Sequence, residues 1–173
     1  MSAVLTLLSA AEESTLALGR LLGRRLRPGQ VVALYGDLGA GKTVLSRGIA
    51  RGLGIQTAVT SPTFTVVQEY PCADGTFLFH LDLYRIADAA AALAFGIDEY
   101  LFAADGVTLV EWPERILELL GHPGSRREAL VIHLEHAADG SRRLRLPARL
   151  ADAVREDLRQ APVDGLAEIA EEL

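Results

Sequence analysis

Between Val31 and Thr43 the chain reads VVALYGDLGAGKT, and no other stretch restricts the possible folds as tightly. Val31 to Tyr35 is a short apolar run of the kind that forms a fully buried strand. It passes directly into Gly36-Asp37-Leu38-Gly39-Ala40-Gly41-Lys42-Thr43, a complete G-x-x-x-x-G-K-[ST] pattern. Apolar residues at Val44, Leu45, Ile49 and Leu53 then predict a helix. Strand, glycine loop and helix together make a phosphate cradle. Glycines let successive backbone N–H groups face phosphate oxygens, and the helix start adds the positive end of its dipole. Lys42 supplies a point charge, and the Thr43 hydroxyl can ligate Mg²⁺. A plain glycine-rich turn would not require the one lysine of the chain, among sixteen arginines, to stand at this position. Arginine is the default cation here, yet its planar fork fits badly where a slender ammonium must thread between phosphates.

A chain of 173 residues, half of them hydrophobic, supports one well-buried core and is short for two. The reading is a single domain over residues 1–150, followed by an acidic extension, 151–173, taken as helical. Of the net charge of -6, the segment from Ala151 onward carries -5, so the body is nearly neutral. Two arginine groups, Arg20/Arg24/Arg25/Arg27 and Arg142/Arg143/Arg145, fit solvated helix and strand faces better than an anionic partner. The lone cysteine, Cys72, excludes an internal disulfide and a cysteine metal cluster. The apolar start, MSAVLTLLSAAEEST, lacks a basic leader and the length of a membrane span, so the expectation is a cytoplasmic protein without a membrane partner.

Along the chain, Ser9 to Leu22 predicts an amphipathic helix capped by Ser9, with Glu12 three residues on. Gly52 and Gly54 bracket the end of the cradle helix, and Ile55 to Phe64 reads as a loop. Thr65 to Tyr70 and Thr76 to Tyr84 are β-rich arms of a hairpin. In the second arm His80, Asp82 and Tyr84 share one face. Ile86 to Tyr100 reads as a helix broken near Gly96, and Val107 to Val110 as a strand ending at Glu111. Trp112-Pro113 opens a further helix through Leu120. Glu128 to Glu135 and Arg142 to Leu146 close a hairpin around Asp139-Gly140. Strands alternating with helices place the chain in the α/β class.

Binding phosphate is not hydrolysis, which needs a carboxylate near the metal and a group that positions the nucleophile. Glu111 stands at the tip of a buried strand, where α/β sheets hold ligands; the competing role is an ordinary acid before a helix. Asp82 ends the FLFHLD arm and could hold Mg²⁺ through water or orient the attacking water, or simply pair with Arg85. Ser61, Thr63 and Thr65 flank Pro62 on a loop suited to sensing a γ-phosphate. His80 could pair with a carboxylate or serve as a core histidine. The guanine-reading N/T-K-x-D motif requires a second lysine, which is absent, and the chain has no asparagine. ATP is therefore the expected nucleotide.

With these four motifs in order, the cradle, Ser61-Pro62-Thr63-Phe64-Thr65, His80-Leu81-Asp82-Leu83-Tyr84-Arg85 and Val110-Glu111-Trp112-Pro113-Glu114, the chain from about Thr15 to Leu146 closely resembles the TsaE (YjeE) family. The resemblance implies a P-loop NTPase-type sheet, largely parallel with antiparallel hairpin additions and flanked by helices. It implies a weak ATPase required for N6-threonylcarbamoyladenosine (t6A) in tRNA. Such a subunit works with TsaB and TsaD, meets tRNA indirectly through the complex, and resets that complex by hydrolysis. On the family pattern Gly39, Gly41, Lys42 and Thr43 hold phosphates beside Asp37, Leu38 and Ala40. Thr43 and Glu111 hold Mg²⁺, and Asp82 is a catalytic or metal-side carboxylate. Ser61 and Thr63 belong to a switch loop, and Thr15, Trp112 and Arg142 adjoin the nucleotide. A small-molecule kinase and a non-hydrolysing nucleotide-binding regulator are the alternatives.

Overall fold

The computed structural model describes residues 4–62, 64–122 and 124–170. The chain runs β1 (Leu5–Ser9), α1 (Glu12–Arg25), β2 (Val31–Tyr35), α2 (Lys42–Gly52), β3 (Val67–Pro71), β4 (Phe77–Asp82) and α3 (Ala89–Ala94). It continues through β5 (Gly106–Glu111), β6 (Leu130–His136), β7 (Arg142–Leu146), α4 (Ala148–Gln160) and β8 (Leu166–Glu168). The eight strands among the described residues join one sheet in the order β3-β4-β5-β2-β6-β7-β1-β8.

The sheet is mixed rather than largely parallel. β4, β5, β2 and β6 run parallel in its centre, and the pairings β3 to β4, β6 to β7, β7 to β1 and β1 to β8 are antiparallel. Helices cover both faces of the parallel centre, so β5 is buried at all six positions, apolar up to Glu111 but for Thr108, whose hydroxyl donates to Tyr100 O. One core layer, built on Leu34, Leu45, Ile49, Leu109 and Ile132, lies beneath α1, α2 and α4. The other, built on Ala33, Leu81, Val110, Ile97 and Ile116, lies beneath α3 and the short turns.

Four glycines set how the two large helices meet. A Cβ at Gly19 would stand 2.7 Å from the Gly48 Cα, and one at Gly23 would stand 2.8 Å from the Gly52 Cα. Only hydrogen fits there, so α1 and α2 touch backbone to backbone and the cradle helix is held against a rigid partner. Gly52, the last residue of α2, is thus also a packing residue, and Gly54, with φ +86°, follows just past the helix end, so the two glycines bracket it as expected.

Three other expectations change. Ser9 ends β1 rather than capping α1; the cap is Ala11, whose N–H donates to Ser14 Oγ at 3.1 Å. The helix runs on past the expected Leu22 to Arg25, with Glu12 and Glu13 in its first turn and Arg24 and Arg25 in its last, charges that complement the helix dipole. After Trp112 there is no continuous helix, because two 3₁₀ turns, Pro113–Arg115 and Leu117–Leu119, pivot about the fully buried Ile116 at φ −136°. Beyond Pro162 the described residues form a short strand, β8 (Leu166–Glu168), rather than a helix. β8 pairs with β1, Arg155 on α4 reaches Glu168 at 2.9 Å, and Asp157 on α4 accepts both ends of the Arg25 guanidinium. Among the described residues no helix is long and apolar enough to cross a membrane.

Candidate active site

The site grows from the C-terminal end of β2. After Tyr35 the chain turns through Gly36 to Gly41, with Ala40 N–H donating to Asp37 O at 3.0 Å, and α2 begins at Lys42. Gly41 has φ +107° immediately before the helix, a backbone that side-chain-bearing residues rarely adopt. A Cβ there would also meet Arg142 Nε at 2.9 Å. The backbone conformation is what calls for glycine, since the flexible Arg142 side chain could move aside. The first N–H groups of α2 have no intrahelical acceptor, and Lys42, Thr43 and Val44 border the pocket described below.

Lys42 is buried, 5% exposed, and its Nζ donates to the carbonyls of Gly36 and Asp37, the latter at 2.9 Å. The same ammonium lies 4.0 Å from the centroid of the Trp112 ring. Burial lowers the Lys42 pKa, and the negative charges of Glu111, Glu114, Asp82 and Asp37 oppose that shift. Trp112 holds its ring in place with a left-handed backbone, φ +61°, and packs on Tyr84 with ring centroids 4.9 Å apart. A non-glycine residue in that region is strained, and here it sits directly after Glu111.

Asp82 and Glu111 end adjacent parallel strands as register partners. Both are buried. Asp82 accepts from Ser61 Oγ at 2.6 Å and from Tyr84 N–H at 3.0 Å. Glu111 lies 3.4 Å from Thr43 Oγ1 through each of its oxygens, and Oε1 accepts from His80 Nε2 at 2.8 Å. These groups border a pocket of about 330 Å³. Leu38, Gly39, Gly41, Lys42, Thr43 and Val44 line one side; Ser61, Asp82, Tyr84, Glu111, Trp112 and Arg142 line the other.

Residues far apart in sequence thus converge on the cradle. Asp37 and Ala40 shape it through their backbone rather than lining the pocket. Thr15 does not reach it: its side chain is fully buried in the first turn of α1, 2.8 Å from Ser9 Oγ. Thr63 lies outside the described residues. Tyr84 and Val44 also line the pocket and Ser46 adjoins it, residues outside those expected at the site; Ser46 Oγ donates to Lys42 O at 2.9 Å and lies 3.4 Å from Glu111. For Tyr84 the sequence signal is its alternation with His80 and Asp82, although β4 ends at Asp82 and Tyr84 lies in the turn that follows.

A divalent cation fits this donor set in a particular way. Among the described residues no three His, Cys, Asp or Glu side chains are grouped to hold a metal. What the pocket offers is a hydroxyl and a buried carboxylate already facing each other, the sparse protein contribution typical of Mg²⁺ bound together with phosphates and water.

The family model described as threonylcarbamoyl adenosine biosynthesis protein TsaE matches residues 9–144. The chain belongs to the TsaE family. Relatives called tRNA threonylcarbamoyladenosine biosynthesis protein TsaE include that of Bacillus subtilis, 44% identical over 137 residues covering 79% of this chain and 80% of that one. The TsaE of a Nostoc species is 40% identical over 136 residues, covering 70% and 82%. The crystal structure of Bacillus subtilis YdiB matches with a TM-score of 0.69 at 36% identity, covering 92% of this chain and 97% of that one. The TsaE match takes in the cradle, Asp82, Glu111 and Arg142, and it stops before α4 and β8.

Proposed function

We propose that this TsaE-family chain is a Mg²⁺-dependent ATPase that acts with TsaB and TsaD in t6A modification of tRNA and resets their complex by hydrolysis. The observation that carries the reading is the Thr43–Glu111 approach, 3.4 Å, at the mouth of a cradle containing buried Lys42 and flanked by Asp82. Thr43 and Glu111 would hold the metal, which supplies charge neutralisation on the phosphates when bound. Lys42 exchanges the carbonyls of its own loop for phosphate oxygens, a charge-assisted contact stronger than the one it gives up. Asp82, restrained by Ser61 and Tyr84, orients a water and accepts its proton. Trp112 and Tyr84 keep bulk water from that side. The tRNA is met through the complex, and the work is cytoplasmic.

The test is ATP hydrolysis by the purified chain, alone and with purified TsaB and TsaD. The expected result is slow turnover alone and stimulation by the pair. Turnover that requires a small phosphate acceptor would make the protein a kinase. Nucleotide binding with background hydrolysis in the presence of both partners would make it a regulator.

A further inference from the structure

His80 is fully buried on β4, two residues before Asp82 on the same strand face. Its Nε2 lies 2.8 Å from Glu111 Oε1, whereas its Nδ1 has no hydrogen-bond partner. A carboxylate only accepts, so Nε2 carries the hydrogen and donates. The ring is therefore anchored at one nitrogen, and that anchor is the carboxylate that faces Thr43. The contacts of Glu111 with Thr43 and Ser46 are long, 3.4 Å, so the bond from His80 is its one short side-chain hydrogen bond among the described residues. A histidine needed only for core volume would not place its single donor on this group.

We propose that His80 is a positioning residue for Glu111: it fixes the rotamer of the carboxylate so that Thr43 and Glu111 present a preformed pair of oxygens to Mg²⁺. This rests on the Mg-ATP reading above. Groups that orient a ligating side chain from behind change metal affinity by about 10- to 100-fold when removed.

The two ring nitrogens make the test selective. In His80→Gln the side-chain amide falls near the place of Nε2 and can still donate to Glu111. In His80→Asn it falls near Nδ1 and cannot reach, and His80→Leu has no donor. Two readouts are taken on variants shown to be folded by circular dichroism. One is the Mg²⁺ concentration at half-maximal change in Trp112 fluorescence at fixed nucleotide. The other, on the chain without nucleotide, is ¹⁵N-correlated NMR of the His80 ring. The expected result is a protected Nε2–H signal in the parent chain that disappears in Glu111→Leu. The Mg²⁺ midpoint should rise about tenfold or more in His80→Leu and His80→Asn and return to within about twofold in His80→Gln. Equal midpoints in His80→Leu and the parent would overturn the proposal and leave the Mg-ATP reading intact. A parent chain whose fluorescence response to nucleotide ignores Mg²⁺ overturns both.

Discussion

Asp82 and Glu111 stand side by side at the ends of β4 and β5, in register, yet each has its own hydrogen-bonding partners. Asp82 is tied to the loop after α2 through Ser61. Glu111 is tied to the strand next door through His80 and faces Thr43 at the start of α2. The pairing of two strands thus brings two carboxylates together while leaving each with different partners, and on the proposed function their variants should differ. Asp82→Asn should cut the hydrolytic step by roughly 10²- to 10⁴-fold with nucleotide affinity nearly unchanged. Glu111→Gln should chiefly raise the Mg²⁺ requirement. Single-turnover hydrolysis alongside nucleotide titration separates the two, and equal loss of binding and rate in both variants would make the residues structural.

Lys42 over the Trp112 ring gives a built-in optical reporter, because Trp112 is the chain's one tryptophan. When Mg-nucleotide draws the ammonium toward phosphate, emission from Trp112 should change in intensity and wavelength. Lys42→Met should abolish that response and weaken ATP binding sharply, by the loss of a charge-assisted phosphate contact. Its fold should persist, since the substitution removes a buried charge whose pKa burial already depresses. A full fluorescence response in Lys42→Met would detach the reporter from the cradle.

How legible these features are in the sequence depends on how local their cause is. The β2-loop-α2 unit is set by neighbours in the chain, so Gly36 to Thr43 shows it outright. The meeting of Asp82 with Glu111 follows from two apolar strands each ending in an acid, a pattern that can be read once a parallel sheet is assumed. The rest is decided by distant contacts. β1 hides in an apolar start because its strand character comes from pairing with β7 and β8 on either side. Trp112-Pro113 signals a helix start, but burial of Ile116 wins over the local signal. Only family likeness points to Thr15; no local pattern shows that β1 brings the Ser9 hydroxyl to its side chain.

The glycine seam between α1 and α2 makes a stability prediction that no cradle chemistry affects. In Gly48→Ala the new methyl collides with the Leu16 carbonyl at 2.4 Å and with the Gly19 Cα at 2.8 Å, all backbone that cannot swing away. Overpacking of this kind costs about 3 kcal/mol, or a drop in Tm of roughly 6–12 °C for a domain of this size. Gly54→Ala is the control, with nothing within 4 Å of the new methyl. Only its left-handed backbone is strained, at about 1 kcal/mol. Thermal melts should rank Gly48→Ala well below Gly54→Ala; the reverse order would mean that α1 and α2 do not pack as closely as they do here.

Acid should loosen the sheet through His133, which sits on β6 and stacks on Tyr35 with ring centroids 5.0 Å apart. Burial lowers its pKa, the nearby Arg145 lowers it further, and Glu135 opposes them. The unfolded chain therefore binds this proton more readily than the folded one. Stability is full above the ordinary histidine value of about 6.5 and is lost as pH falls through the lower folded-state pKa. Asp139, held below the usual carboxylate range by its hydrogen bonds from Ser141, adds a loss of the same sign only at lower pH. Melts between about pH 7 and pH 5 cover the histidine range and stay above the ordinary carboxylate range. His133→Phe keeps the stack and removes the titration, so its Tm should vary less across that interval than the parent's; parallel curves would assign the acid sensitivity to other groups.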